Sequence, residues 1–532
     1  MEVISENSRL NQNNNHNFPK IENFKNKISS LLEIDELNQI QINSFGNFVN
    51  FQILLNSKIS SFFAEEIKGE STEFKNIVNQ STTSNTFKGF KTEDSTEKER
   101  LQNILLRKKE IYLAYLLDLL EGNKLEKILN KEDIETLKII IKSGFLQIID
   151  ELFLNNPNKK IARYEKPEKQ VYGFLTLNLD EISFAKAKFK KFKKLRKDLS
   201  EIPNENIRKY LINFFNLSIS GNTNYADFIA LEKEALNTWD KESNLGFMHP
   251  LEDYELAGYT DLEFSFILKD TSEGVNNPEF YSDLFTKYFA SDYSAKKISV
   301  FNVEKFFSNG NASFMSVQGQ AFPNDIDSKK EFGNKITVYN SNIRKSIGEI
   351  YPLTRKVVCN LELLDEEKLT EYDCDFTIAH EFAHSLFRNG YKSEFEEAKA
   401  SYGYILKLYD KYQTQEISDE EFKYIITNLL LEIVKQAKRD GISSYRKYIL
   451  YAKMALASLV NLGVLEFNNN EISINYDKNK FKDFLESGLD TLNLLKKIYE
   501  NNEKEVEEKL IKIIEENIKE KYQIILTKIK ES

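Results

Sequence analysis

Residues 372–409 read YDCDFTIAHEFAHSLFRNGYKSEFEEAKASYGYILKLY. The chain has only four histidines, His16, His249, His380 and His384, and two of them fall in the pentapeptide HEFAH at 380–384. Chance would produce such a pentapeptide roughly three times in a thousand chains of this composition. On a helix, residues four apart share a face, so both imidazoles can reach one cation. Phe376, Ile378, Ala379, Phe382, Ala383, Leu386 and Phe387 surround the pair, and no proline interrupts the run. The spacing predicts a buried helix, then a turn at Arg388-Asn389-Gly390, then a second helix. Two antiparallel helices joined by so short a turn bring the early turns of the second beside the histidines.

A catalytic zinc usually takes three protein ligands and leaves a fourth position open. No histidine follows His384, so a carboxylate must supply the third, and Glu394, Glu396 and Glu397 all qualify. Spacing alone does not choose among them. Glu381, one step round from both histidines, can activate water at the metal without ligating it. Cys374, six residues before His380, reads as a buried thiol.

Outward from this pair, the pattern from about residue 365 to the end is almost wholly helical, with Leu and Ile on one face and charges on the other. The middle of the chain carries strand character at 262–268, 297–301 and 335–339. Helical spacing returns at 21–68, and the Ser/Thr/Asn-rich run 69–98 reads as a linker. The expected organisation is an N-terminal extension over 1–100, a mixed α/β lobe over 101–350 and a helical zinc-binding lobe over 351–532. The fold class is mainly α with a smaller β part, two-lobed, with a cleft between the lobes.

Composition narrows the function. Among 532 residues, 73 basic and 83 acidic side chains give a net charge of −10, which argues against nucleic acid as the main partner. No apolar run reaches 18 residues and the first 20 residues are polar, so neither a membrane span nor a leader is expected. With two cysteines, a cytoplasmic location is the simplest expectation. FAKAKFKKFKKLRKDL, residues 184–199, carries eight Lys/Arg. It reads as a solvated helix face packed by its phenylalanines, and Trp239 reads as core.

HEFAH followed by FEEAKAS resembles the zinc signature of the dipeptidyl-peptidase III family and its shorter bacterial and plant relatives. Three further segments are similar in the same order: WDKESNLGFMHPLEDYELAGYTDLEFSFILKD (239–270), QAFPNDIDSKKEFGNKITVYNSN (320–342) and residues 455–514. The likeness spans roughly residues 105 to 515. It implies one Zn²⁺ per chain held by His380, His384 and Glu397, with Glu396 orienting a histidine. It also implies a peptide cleft lined by Asn324 and His249, and release of N-terminal dipeptides from short peptides.

The sequence departs from the family pattern at several places. Ala321 stands where the family has a second asparagine, and Phe247 where it has a tyrosine. The family's C-terminal histidine has no counterpart, with Lys453 expected in its place, and Ser401 replaces an acidic residue. A zinc-containing peptide-binding protein and a zinc hydrolase of a non-peptide substrate are therefore the alternative readings.

Overall fold

The computed structural model describes residues 40–71, 95–146, 189–220, 225–239, 243–248, 264–270, 278–289, 298–309, 318–323, 331–387, 393–441, 445–468 and 470–532, with positions 37, 74–75, 78, 162–163, 259–260 and 328. The fold is mainly helical, with a small mixed sheet. In its N-terminal half, helices α1 (Phe45–Phe62), α2 (Ser95–Glu121), α3 (Lys131–Ser143), α4 (Phe189–Ser200), α5 (Glu205–Ser220) and α6 (Tyr225–Leu236) precede the sheet. Strands β1 (Ala162–Arg163) and β3 (Tyr259–Thr260) form a separate two-stranded ladder.

The main sheet contains β2 (Leu245–Met248), β4 (Phe264–Asp270), β5 (Ile298–Asn309), β6 (Gly319–Phe322) and β7 (Asn334–Tyr339), in the order β2-β4-β5-β7-β6. Only the β5–β7 pair is parallel, and helix α7 (Pro278–Phe289) lies between β4 and β5 in sequence. Side chains alternate across the sheet with the period of two that a pleated strand imposes, except at a register shift in β5, where consecutive Phe306 and Phe307 both join one core. Phe247, Phe266, Leu268 and Phe307 join a core built with α1 to α6, whereas Met248, Ile267 and Val303 face the opposite way beside Trp239. Helix α1 is part of this core: Phe48, Phe51, Leu55 and Ile59 are buried in it, and the Phe48 ring lies 5.1 Å from that of Phe306. On α4, Leu195 and Leu199 are buried in the same core.

The C-terminal half is a helical array: α8 (Asn340–Val357), α9 (Glu366–Ala383), α10 (Glu396–Gln413), α11 (Asp419–Lys438), α12 (Arg446–Asn461), α13 (Lys478–Asn501) and α14 (Lys504–Glu531). It shares one large core, to which β7 contributes Ile336 and Val338. Helix α8 follows β7 without a loop and runs through position 350, so the sheet and the array are joined by continuous structure there. A hairpin of β8 (Leu465–Asn468) and β9 (Glu471–Ile474) interrupts the helices. The sequence reading passed over it, although its Asn-rich centre is a turn signal. No described helix is long and apolar enough to cross a membrane.

Candidate metal centre

Helix α9 starts cleanly, with the Asp365 side chain accepting from Lys368 N–H. It ends inside the HEFAH motif, with His384 as its C-cap still in helical conformation. The buried ammonium of Lys399, on α10, donates to the carbonyls of His384 (3.2 Å) and Leu386 (2.8 Å), which the end of the helix would leave unsatisfied.

Small residues let α9 and α10 approach closely. A Cβ added to Gly403 would lie 2.2 Å from Ala383 Cβ and 3.4 Å from the Ala379 carbonyl oxygen. At this separation Glu397 and Ser401, one turn apart on α10, grip both nitrogens of His380. Ser401 Oγ lies 3.0 Å from Nδ1, and Glu397 Oε2 lies 3.2 Å from Nε2. His384 Nδ1 lies 3.0 Å from Glu396 Oε1. Glu396 is itself held by Lys399 at 2.9 Å and by the hydroxyl of Tyr499 on α13. Placing the proton of each ring on Nδ1, toward Ser401 and Glu396, leaves both Nε2 lone pairs free.

Those two Nε2 atoms lie 3.2 Å apart, and Glu397 Oε2 lies 3.2 Å from one and 3.7 Å from the other. Two lone pairs at that separation repel unless a cation lies between them. Glu397 Oε2 is also buried without a hydrogen-bond partner. For ligand bonds of 2.0–2.1 Å, the edge of a tetrahedron is about 3.3 Å. The triangle of donors therefore fits three corners of a tetrahedral ion, and its nitrogen and oxygen chemistry suits Zn²⁺. His380, His384 and Glu397 are the only group of three such donors found close enough together among the described residues. Of the three glutamates left open by spacing, Glu397 completes the triangle and Glu396 holds His384. Glu394 pairs at 3.7 Å with Arg446.

Glu381 stands beside the triangle against the sheet. Its carboxylate accepts the backbone N–H of Ala321 on β6, the edge strand. Gly319 makes this approach possible, since a Cβ there would lie 2.3 Å from Thr377 Cγ2 and 3.1 Å from Glu381 Cγ. Burial raises the Glu381 carboxyl above its ordinary range, against the pull of His384 and His380. Burial acts on Glu396 and Glu397 in the same sense. The imidazoles outweigh it in both, with Lys399 and Tyr499 assisting at Glu396, and hold these two carboxyls below the usual range.

Tyr448 on α12 is a member of the site that sequence reasoning missed. Its hydroxyl hydrogen-bonds the Glu397 carboxylate. The charge of Glu397, then burial, then Glu381 push the phenol well above its ordinary pKa, keeping it a donor. Lys453, expected in this neighbourhood, lies five residues further along α12, about 140° round the helix. It pairs with Glu515 at 3.5 Å and sits 5.2 Å from the Tyr522 ring centre on α14. Nothing local distinguishes Tyr448 among 26 tyrosines; only the helix face it shares with the site would have singled it out. Phe247 is buried against Tyr210 and Phe266. Cys374 is partly buried, with Sγ 3.2 Å from Asn340 Oδ1. Asn324 and His249 lie outside the described residues.

The arrangement extends to whole-chain similarity. The structure of DPP III from Caldithrix abyssi aligns with 96% of this chain and 92% of its own, at 14% sequence identity and a TM-score of 0.52. The chain has a dipeptidyl-peptidase III fold. The structure of dipeptidyl-peptidase III from Corallococcus sp. strain EGB aligns over 66% of this chain and 70% of its own, at 15% identity and a TM-score of 0.45. No family model and no curated protein matches the sequence. At this identity the dipeptidyl-peptidase III likeness is one of fold, and the chemistry rests on the residues themselves.

Proposed function

We propose that the chain is a zinc metallopeptidase of the gluzincin type, releasing dipeptides from the N-termini of short peptides. His380, His384 and Glu397 hold one Zn²⁺, and Glu381 is the general base and acid. One observation carries this reading: two lone-pair imidazole nitrogens and an unpartnered buried carboxylate oxygen lie at tetrahedral spacing, with a second carboxylate beside them. A purely structural site has no use for that second carboxylate.

Bound zinc supplies a Lewis acid that acidifies water and polarises a carbonyl. The protein's own groups do the rest. Glu381, steadied by the Ala321 N–H, takes the proton of the attacking water and returns it to the departing amine. Tyr448, kept protonated by its acidic neighbours, would turn its single O–H from the Glu397 carboxylate to the oxyanion that develops on the scissile carbonyl. That role takes the place of the tyrosine that Phe247 replaces. The outer edge of β6 presents backbone groups to an extended peptide, which Asn324 and His249 would help align. The fold of the Caldithrix abyssi protein supports a peptide as the substrate.

A mixed peptide library digested by zinc-loaded protein, with Glu381→Gln alongside and mass spectrometry as readout, tests the proposal. N-terminal dipeptides released only by the unmodified protein are the expected result. Internal cuts that depend on Glu381 would keep the chemistry and reject the exopeptidase register. Silence from both proteins with zinc bound would favour peptide binding alone or a non-peptide substrate.

A further inference from the structure

Beyond the candidate metal site, the described residues include a buried charged cluster around Gln318 that the proposed reaction does not use. Gln318, immediately before β6, donates from Nε2 to Asp373 Oδ2 at 3.0 Å, and its Oε1 accepts from the ammonium of Lys435. Lys435 also bonds Glu432, which Gln436 contacts at 3.3 Å. Asp373, Glu432 and Lys435 are 2%, 5% and 7% exposed. Asp373 belongs to α9, while Glu432, Lys435 and Gln436 belong to α11. The second oxygen of Asp373 has no hydrogen-bond partner, so Gln318 supplies the hydrogen bond to that carboxylate. Two acids and one lysine are costly to bury, and a neutral amide that donates to an acid and accepts from the base fits between them.

The location of the cluster gives it a role. Gln318 precedes Gly319, whose missing side chain lets β6 lie against Thr377 and Glu381, and is three residues from Ala321, whose N–H meets the Glu381 carboxylate. On its other side the Gln318 carbonyl accepts from Tyr339 N–H at 2.8 Å, tying it to β7. We infer that Gln318, seated in the Asp373–Lys435–Glu432 socket, is a positioning residue that fixes the edge strand β6 against Glu381. As a statement about Glu381 in a reaction it rests on the proposed function; as a statement about β6 it does not.

The test separates the two. In full-length zinc-loaded protein, Gln318→Ala should speed amide hydrogen exchange in the 318–323 segment about tenfold. It should slow Glu381-dependent hydrolysis about tenfold or more and leave zinc affinity unchanged. Gln318→Glu alone sets a third carboxylate in the socket and should be as damaging. Combined with Asp373→Asn it restores one donor–acceptor pair in reverse and should recover both exchange protection and rate. Faster exchange, with no hydrolysis even by the unmodified protein, would support the strand's dependence on Gln318 while rejecting the peptidase reading. Unchanged exchange in Gln318→Ala, a parallel loss of zinc affinity, or failure of the paired substitution to rescue would each overturn the inference.

Discussion

Helix α9 meets different neighbours on two sides, and each contact turns on a glycine. Toward α10, Gly403 packs on Ala383 and brings Glu397 to the histidines. Toward the sheet, Gly319 packs on Thr377 and brings the Ala321 N–H to Glu381. The first contact assembles the candidate metal site between two helices close in sequence. The second aims a carboxylate with a strand some sixty residues upstream. The contrast teaches that, under the proposed function, holding the metal and using it would depend on separate surfaces of one helix, so they should fail separately.

The strongest break falls on the chemistry. Glu381→Gln should lower hydrolysis about 10²–10⁴-fold, read as kcat/KM, with zinc content unchanged. Next come the glycines. Gly403→Ala forces a Cβ into the α9–α10 contact and should cost about 1–3 kcal/mol of stability in denaturant unfolding. It should also weaken zinc binding about 10–100-fold, since the ligands sit on both helices. Gly319→Ala pushes on Thr377 and Glu381 instead; it should lower the hydrolytic rate by up to about 10²-fold while zinc affinity holds. If both glycine variants lost zinc equally, the two surfaces would not be independent. A smaller effect is expected from Tyr499→Phe, which removes one hydrogen bond to Glu396: roughly tenfold weaker zinc binding in a chelator competition, without a change in secondary structure.

The two surfaces also differ in how far the sequence revealed them. HEFAH was legible because helical periodicity alone brings residues four apart together. Which glutamate faces the two histidines was not. The phase of α10 relative to α9 is set by the Gly403–Ala383 contact and by the start of the helix, where Glu507 on α14 accepts from Ser393 Oγ at 2.7 Å and Lys447 on α12 donates to the Ser393 carbonyl at 3.0 Å. Those are long-range contacts with no local signature; the family resemblance, not spacing, pointed to Glu397. On the sheet side, the β-branched run at 335–339 announced β7. The pairing of β6 with β7, and hence the place of Ala321 beside Glu381, follows from tertiary register. Ser401 illustrates the same limit: it stood out in sequence only as a departure, yet it sits 3.0 Å from His380 Nδ1.

The most direct measurement is a zinc titration of metal-free protein against a chromophoric chelator, run on the unmodified chain, Glu381→Gln and Glu397→Ala. One equivalent of tight zinc is predicted for the first two, with tight binding lost in Glu397→Ala. If Glu397→Ala bound zinc as tightly as the unmodified chain, or if the unmodified chain bound none, the donor triangle of His380, His384 and Glu397 would not be the metal site.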